Sequence, residues 1–257
     1  MNAKQINLNA DLGESLGPWQ MGNDAALLQI VGSANIACGM HAGDPSIMRD
    51  TVCQAIARGV SLGAHPSYPD LQGFGRRALQ MSAPDLEATI LYQVGALQAM
   101  AAAEGGRVTH VKPHGALNNV ACADPVVAAT VVRAVQALDP TLILLAPAHS
   151  ELVRAGEAAG LPVRHEVFAD RAYLDDGQLM PRSREGSVLH DPQACVEHVL
   201  RMLSAQAIIA ASGHQMSTRI DSICVHGDGP EAVATASAIQ QALKANGYRL
   251  VALDQMH

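Results

Sequence analysis

Aromatic side chains are scarce in this chain: they make up 3% of its 257 residues, with one tryptophan, two phenylalanines and four tyrosines. An interior so short of rings must be built from Ala, Val, Leu and Ile, which suits the layered packing of a β/α barrel. Cys38, Cys53, Cys122, Cys195 and Cys224 form no CxxC pair, which argues against a disulfide framework and a structural zinc site. No apolar run is long enough to span a bilayer. The net charge of −7 offers no electrostatic footprint for nucleic acid. The segment MNAKQINLNADLGE enters a strand pattern almost at once and leaves no room for a signal peptide, so the cytoplasm is the expected compartment. Also missing are GxxxxGK[ST], a GxGxxG after the first strand and a GxSxG elbow, so the chain carries no recognisable nucleotide site.

What is present is a rhythm. Seven short apolar runs end in Asp, His or Lys, each followed by a helix-like stretch. They read INLNAD to Asp11, ANIACGMH to His41, VSLGAH to His65, VTHVKPH through Lys112 to His114, LILLAPAH to His149, VRHEVFAD to Asp170, and ICVHGD through His226 to Asp228. Strands alternating with helices imply a parallel sheet. In a closed, TIM-like α/β barrel the chemistry gathers at the carboxyl ends of the strands, where these side chains fall. No linker or low-complexity tract interrupts the chain, so one barrel domain over residues 1–257 is expected. Asp44-Pro45, Asp124-Pro125 and Asp191-Pro192 each read as an N-cap before a first-turn proline. Ser82 precedes a long amphipathic pattern that ends at Gly105-Gly106, and Pro230 opens a last helix running to Gly247. The final RLVAL is either an extra strand or a barrel-closing segment. Segments 13–24, with Trp19, and 66–77, with Phe74 and Arg76-Arg77, should lie over the mouth, as aromatic plugs or as a lid or partner surface. Residues 173–187 form a further lid candidate.

The strand tips hold the candidates for chemistry. Asp11, His41 and His65 could hold a divalent metal with an open position, or form a metal-free acid/base network. Lys112, one of three lysines, could bind a carboxylate, polarise a carbonyl or pair with Asp11 or Asp170. His114 follows it across Pro113. Glu14 lies three residues beyond Asp11 and could share base and orienting roles with it. Asp44 is either a helix cap alone or a further ligand-facing acid. Asp170, Arg171, His226 and Asp228 complete the ring, and the Gly227–Pro230 turn offers free N–H groups to an anion. Cys38, near His41, is a nucleophile candidate or a small core residue.

The motifs LNADLGES, SANIACGMHAGDP, GAHPSYPDLQGFGRR, VKPHGAL, FADRAYLDDGQLMPRS and ICVHGDGPEAV together resemble the LamB/YcsF family from about Asn7 to the last helix. The resemblance implies an irregular seven-stranded β/α barrel related to polysaccharide deacetylases and some glycoside hydrolases. Five positions depart from the family pattern: Asn7 stands for Asp, Ala10 for Cys, Met40 for an aromatic residue, Asn118 for Tyr and Gly229 for Asn. The tips themselves remain, which implies retained activity with drift around the pocket.

The resemblance further implies the A component of an ATP-hydrolysing 5-oxoprolinase, which opens the lactam of 5-oxo-L-proline to L-glutamate. ATP would then bind to companion subunits B and C, which would phosphorylate the lactam oxygen. This chain would add water to the activated carbon, with Asp11, His41 or His65 handling the proton and Lys112 steadying negative charge. Glu14 and His114 would join them in catalysis, while Asp44, Asp170, Arg171, His226 and Asp228 would bind substrate. Two other functions fit the same residues: a stand-alone metal-dependent deacetylase, and a non-catalytic component that captures substrate for its partners.

Overall fold

Asn7, Asn9 and Asp11 alternate with Leu8, Ala10 and Leu12 along the first strand, and all six are buried. A strand buried on both faces belongs inside a covered parallel sheet. The computed structural model, which describes residues 4–227 and 231–256, places it there. The strands are β1 (Lys4–Leu12), β2 (Ser33–Ala37), β3 (Ser61–His65), β4 (Val108–Val111), β5 (Ile143–Pro147), β6 (Val163–Phe168), β7 (Ala207–Ile209), β8 (Gln215–Ser217), β9 (Ser222–Val225) and β10 (Tyr248–Leu250). Parallel pairing runs β1-β2-β3-β4-β5-β6-β9, and β9 returns to β1 with Asn7 opposite Ser222, so seven strands close a barrel. The seven expected runs supply these seven strands. The antiparallel β7–β8 hairpin stands apart from the barrel.

Around it lie α1 (Asp24–Leu27), α2 (Pro45–Ala57), α3 (Ala83–Ala103), α4 (Gly115–Ala123), α5 (Pro125–Leu138), α6 (Glu151–Ala158), α7 (Pro192–Ala205) and α8 (Ala232–Ala245). The starts follow from local chemistry. Asp44, Asp124, Asp191 and Ser82 each accept hydrogen bonds from first-turn N–H groups that would otherwise be orphaned. Pro230, expected to open the last helix, lies outside the described residues. No single helix among the described residues is long and apolar enough to cross a membrane.

Of the two readings of the C-terminal RLVAL, the extra strand is the one found: Tyr248–Leu250 pairs in parallel with Lys4–Ile6 of β1 and does not close the barrel. A 3-10 turn at Leu253–Gln255 follows, and Leu253 packs against Ile143 and Leu145. One expectation changes: the lumen is not aliphatic. The Leu, Ile, Val and Ala residues pack mainly between strands and helices, while the inside is a polar network whose bonds link both neighbouring and non-neighbouring strands. Asn9 Nδ2 donates to Glu166 Oε1 (2.9 Å) and Ser222 Oγ (2.8 Å). Asn35 Nδ2 reaches Asn9 Oδ1 (2.7 Å) and Asp11 Oδ1 (2.8 Å), and His110 Nε2 bonds Asn35 Oδ1 at 3.0 Å. Gly63 makes room for that ring, since a Cβ there would sit 2.0 Å from His110 Nε2. Burial in this way is tolerated because the polar atoms find partners.

Candidate active site

The polar column ends at the carboxyl mouth of the barrel in Asp11. Its Oδ1 accepts from Asn35 Nδ2 and from Lys112 Nζ at 2.9 Å, and its Oδ2 lies 3.3 Å from His65 Nε2. Burial works against its charge, but His65 and Lys112 outweigh this and hold the carboxyl well below its ordinary range. Lys112 is itself 2% exposed. Its ammonium reaches Asp11, Glu166 Oε1 (3.1 Å) and Cys224 Sγ (3.0 Å), with Asn9 Oδ1 at 3.4 Å. Burial would strip its proton, yet those acids hold it charged, with a pKa well above the lysine value. With its three N–H bonds occupied, Lys112 is not free to grip a substrate carboxylate: it fixes Asp11. Glu166 titrates above the usual range because it is buried, despite the facing ammonium.

Beside Asp11 stand three imidazoles. His41 is not a strand tip: β2 ends at Ala37, and the loop brings the ring back over the mouth. It stacks flat on His114, with centroids 3.7 Å apart and planes 6° from parallel, while His65 meets His114 edge to face at 85°. Gly75, at φ +62°, lies under the stack, where a Cβ would come within 2.8 Å of both His114 and His41. Phe74 is not a plug of the core; it meets both rings edge-on. Glu14 Oε1 is 3.0 Å from His41 Nε2 and 3.5 Å from His114 Nδ1. His114 is the N-cap residue of α4 but makes no side-chain cap bond, because its ring is committed to His65 and to the Phe74 carbonyl. Burial pushes His114 down to about 3 and His41 well below the usual imidazole value, with neighbouring rings adding to the shift. Both are neutral near pH 7.

Asp11, His65, Lys112 and His114 form one wall of an open cavity of about 460 Å3. Its other walls carry Arg76, Asn118, Arg171, Arg182 and His226, and Gln178–Pro181, from the 173–187 segment, line it as well. Arg171 is 5% exposed, and its Nε and Nη2 donate to the carbonyls of Ser187 and Met180 rather than to a carboxylate. Burial, then the nearby Arg182 charge, lowers it to about 10. A buried cation crowded by another suits an anionic ligand. Asp170 supports the wall from behind by accepting from His226 Nδ1 with both oxygens at 2.8 Å.

Several expectations do not survive in their first form. Asp44 lies outside the cavity, and its carboxylate is taken up by the N–H groups of Ser46, Ile47 and Gly17, so it is a cap that also ties down the first loop. His149 turns away to bond the Ser217 carbonyl. Cys38 is a buried thiol, donating to the Ile36 carbonyl and pushed up to about 12 by burial, and has no nucleophilic character. Trp19 is 71% exposed and plugs nothing. Asp228 and the Gly229 departure lie outside the described residues. The metal set Asp11–His41–His65 is also redrawn: the donor atoms that come together are those of Glu14, His41, His65 and His114. A second group, Asp11–Cys224–His226, already has a cation beside it in the Lys112 ammonium, and burial keeps the Cys224 thiol protonated. Asn9, Asn35, His110 and Glu166 were not foreseen. Their signal was the period-two recurrence of polar residues within apolar strands, as in INLNAD.

Residues 6–257 match the LamB/YcsF family. The A component of a 5-oxoprolinase from Azoarcus sp. (strain BH72) is 61% identical over 252 residues, covering 98% of each chain. The crystal structure of a lactam utilization protein from Thermus thermophilus is 42% identical and superposes with a TM-score of 0.90, covering 97% of this chain and 100% of that one. The catalytic domain of a peptidoglycan N-acetylglucosamine deacetylase from Eubacterium rectale ATCC 33656 shares only the fold: TM-score 0.53 and 12% identity, over 98% of this chain and 89% of the other.

Proposed function

This chain belongs to the LamB/YcsF family, and from that membership we propose that it is the A component of a 5-oxoprolinase, acting as a hydrolase on the lactam of 5-oxo-L-proline. The five-membered lactam is a stable amide and needs activation before water can open it. In this reading partner subunits B and C bind ATP and place its terminal phosphoryl group on the lactam oxygen. Water then adds at the lactam carbon on this chain, the ring C–N bond breaks as nitrogen takes a proton, and a second water releases phosphate. The sum is 5-oxo-L-proline, ATP and two waters giving L-glutamate, ADP and phosphate.

The single observation that carries this reading is the two-sided character of the cavity. Its floor offers a fixed, ionised carboxylate next to imidazole, and its walls offer arginines. Asp11 Oδ1 is immobilised by Asn35 and Lys112, so Oδ2 and the 3.3 Å edge it shares with His65 are where the proton of an attacking water would go. Arg171, with Arg76 and Arg182 on the same wall, suits the carboxylate and phosphoryl charges of an activated lactam. His226 faces the same space and can protonate the departing nitrogen. Lys112 acts through Asp11 and not on the substrate.

The test is glutamate release from 5-oxo-L-proline and ATP, by the chain alone and then with the two candidate partner subunits. Activity only in the full mixture, abolished by Asp11→Asn, is the expected result. Hydrolysis of an acetylated amino sugar by the chain alone, without ATP, would favour the stand-alone deacetylase. Full turnover by the Asp11→Asn mixture would leave a substrate-capturing role.

A further inference from the structure

His65 and His114 are each held by a group that can only accept. The Lys112 carbonyl lies 2.7 Å from His65 Nδ1, and the Phe74 carbonyl lies 2.8 Å from His114 Nε2. A carbonyl has no proton to give, so in the neutral form of each ring the proton sits on that outer nitrogen. In that form the inner nitrogens, His65 Nε2 and His114 Nδ1, are both bare; they face each other at 3.0 Å, and Asp11 Oδ2 lies 3.3 Å from the first. Two lone pairs at that distance repel unless something positive lies between or beside them. Glu14 Oε1, 3.5 Å from His114 Nδ1, adds a third electron-rich atom to the same spot.

We propose that His65 Nε2, His114 Nδ1 and Glu14 Oε1 form a site for one divalent cation of the zinc type. Two imidazoles and one carboxylate are the donor set such a cation prefers when it keeps one position open. Bonds of about 2.0–2.2 Å in tetrahedral array place neighbouring donors about 3.3–3.6 Å apart, and the separations of 3.0 and 3.5 Å lie close to that spacing. The outer-nitrogen bonds to backbone carbonyls are the supports that ligating histidines require to hold tautomer and orientation.

His41 is not a fourth ligand. Its plane is parallel to that of His114 and 3.7 Å away by centroid, so a cation in the plane of one ring lies off the plane of the other. Its Nε2 instead holds Glu14 at 3.0 Å, and its Nδ1 is buried without a hydrogen-bond partner. His41 is a positioning residue for the carboxylate. The open position is set by access: His65 and His114 line the main cavity together with Asp11. A water held at that position would lie on the side of the cavity where Asp11 could accept its proton.

The competing occupant of the gap is a single proton shared by the two rings, and binding of zinc or cobalt to the chain alone separates the two cases. Metal-depleted chain, without partners, ATP or 5-oxo-L-proline, is titrated with Zn2+ by calorimetry and with Co2+ by visible absorption, so the outcome is independent of the proposed reaction. One Zn2+ per chain and the intense bands of four-coordinate Co2+ are expected. Both should be lost in His65→Ala, and strongly weakened in Glu14→Gln, which keeps the side-chain shape should the alanine variant fail to fold. His41→Phe, which keeps the stack but not the bond to Glu14, should bind about 10–100-fold more weakly, as supporting residues of metal sites do. A folded wild-type chain with no saturable binding overturns the site. So does zinc binding that Glu14→Gln leaves unchanged, or a shared imidazole proton in nitrogen-15 spectra that persists with zinc present.

Discussion

Lys112 Nζ reaches Glu166 Oε1 across the barrel at 3.1 Å, while the other oxygen of Glu166, Oε2, is buried with no hydrogen-bond partner. The ammonium therefore stands between two carboxylates, Asp11 and Glu166, and serves both. Removing one member of a buried charged group typically costs about 3–5 kcal/mol, because the remaining charge is left uncompensated. Lys112→Ala should fall in that range by urea denaturation and should also abolish glutamate formation. Its loss of turnover should appear in kcat rather than in KM, since the side chain fixes Asp11 and does not grip substrate. Glu166→Gln, which keeps an acceptor for Asn9 and Lys112, should cost far less stability than Glu166→Ala.

Asp11→Asn preserves the shape of the column and removes the charge. A positioned general base or water-orienting carboxylate is worth about 10²–10⁴ in rate. The reconstituted mixture should lose at least that much in kcat/KM while its circular dichroism is unchanged, and a variant within tenfold of the parent would remove Asp11 from the chemistry.

Arg171→Met replaces a buried cation with an apolar side chain of similar length. Because no carboxylate among the described residues pairs with this guanidinium, the fold should tolerate the change, whereas KM for 5-oxo-L-proline in the full mixture should rise. A bidentate anion contact also predicts that Arg171→Lys rescues poorly.

Acid stability should carry the mark of Asp170. Burial opposes ionisation of this carboxyl, but the His226 bond and charge outweigh it and lower its pKa in the folded state. A depressed carboxyl stabilises the fold fully above its unfolded value of about 3.9 and loses that contribution as pH falls through the folded value. Stability against pH, followed by urea midpoints, should therefore drop below about pH 4, and Asp170→Asn should flatten that limb while lowering the plateau.

Gly63→Ala tests the packing of the lumen. The new methyl group would meet the His110 ring at 2.0 Å, so the ring must shift and lose its bond to Asn35. Overpacking of this kind costs about 1–3 kcal/mol. An alanine variant with the parent's melting temperature would show that the ring moves freely.

The barrel was legible because most strands lead into a polar side chain and helices α2, α3, α5 and α7 start with a side-chain cap. Both are local signals, carried within a few residues. Asp124, Asp191 and Ser82 behave as their sequence context dictates. Asp44 shows the limit of that reading: an acid in the right neighbourhood was spent on N–H groups of the chain itself. The polar lumen was illegible for a different reason. Asn9, Asn35, His110 and Glu166 are separated by up to 157 positions, and only closure of the sheet reveals that they satisfy one another. His41 illustrates the same gap. Its distance from the end of β2 suggested a neighbouring tip, whereas a loop returned it to a stack that no spacing rule foresees.

The first strand bonds to β2 on one side and to β9 on the other. During synthesis β1 must therefore wait, with one edge bare, until nearly the whole polypeptide has left the ribosome. Asp11 arrives with the earliest of these strands and His226 directly after the latest, yet both belong to one cavity. Nothing shorter than a nearly finished molecule can assemble that space, so the reactive groups are kept apart for as long as translation lasts. Such long-range closure is slow, and it ties the onset of chemistry to completion of the chain.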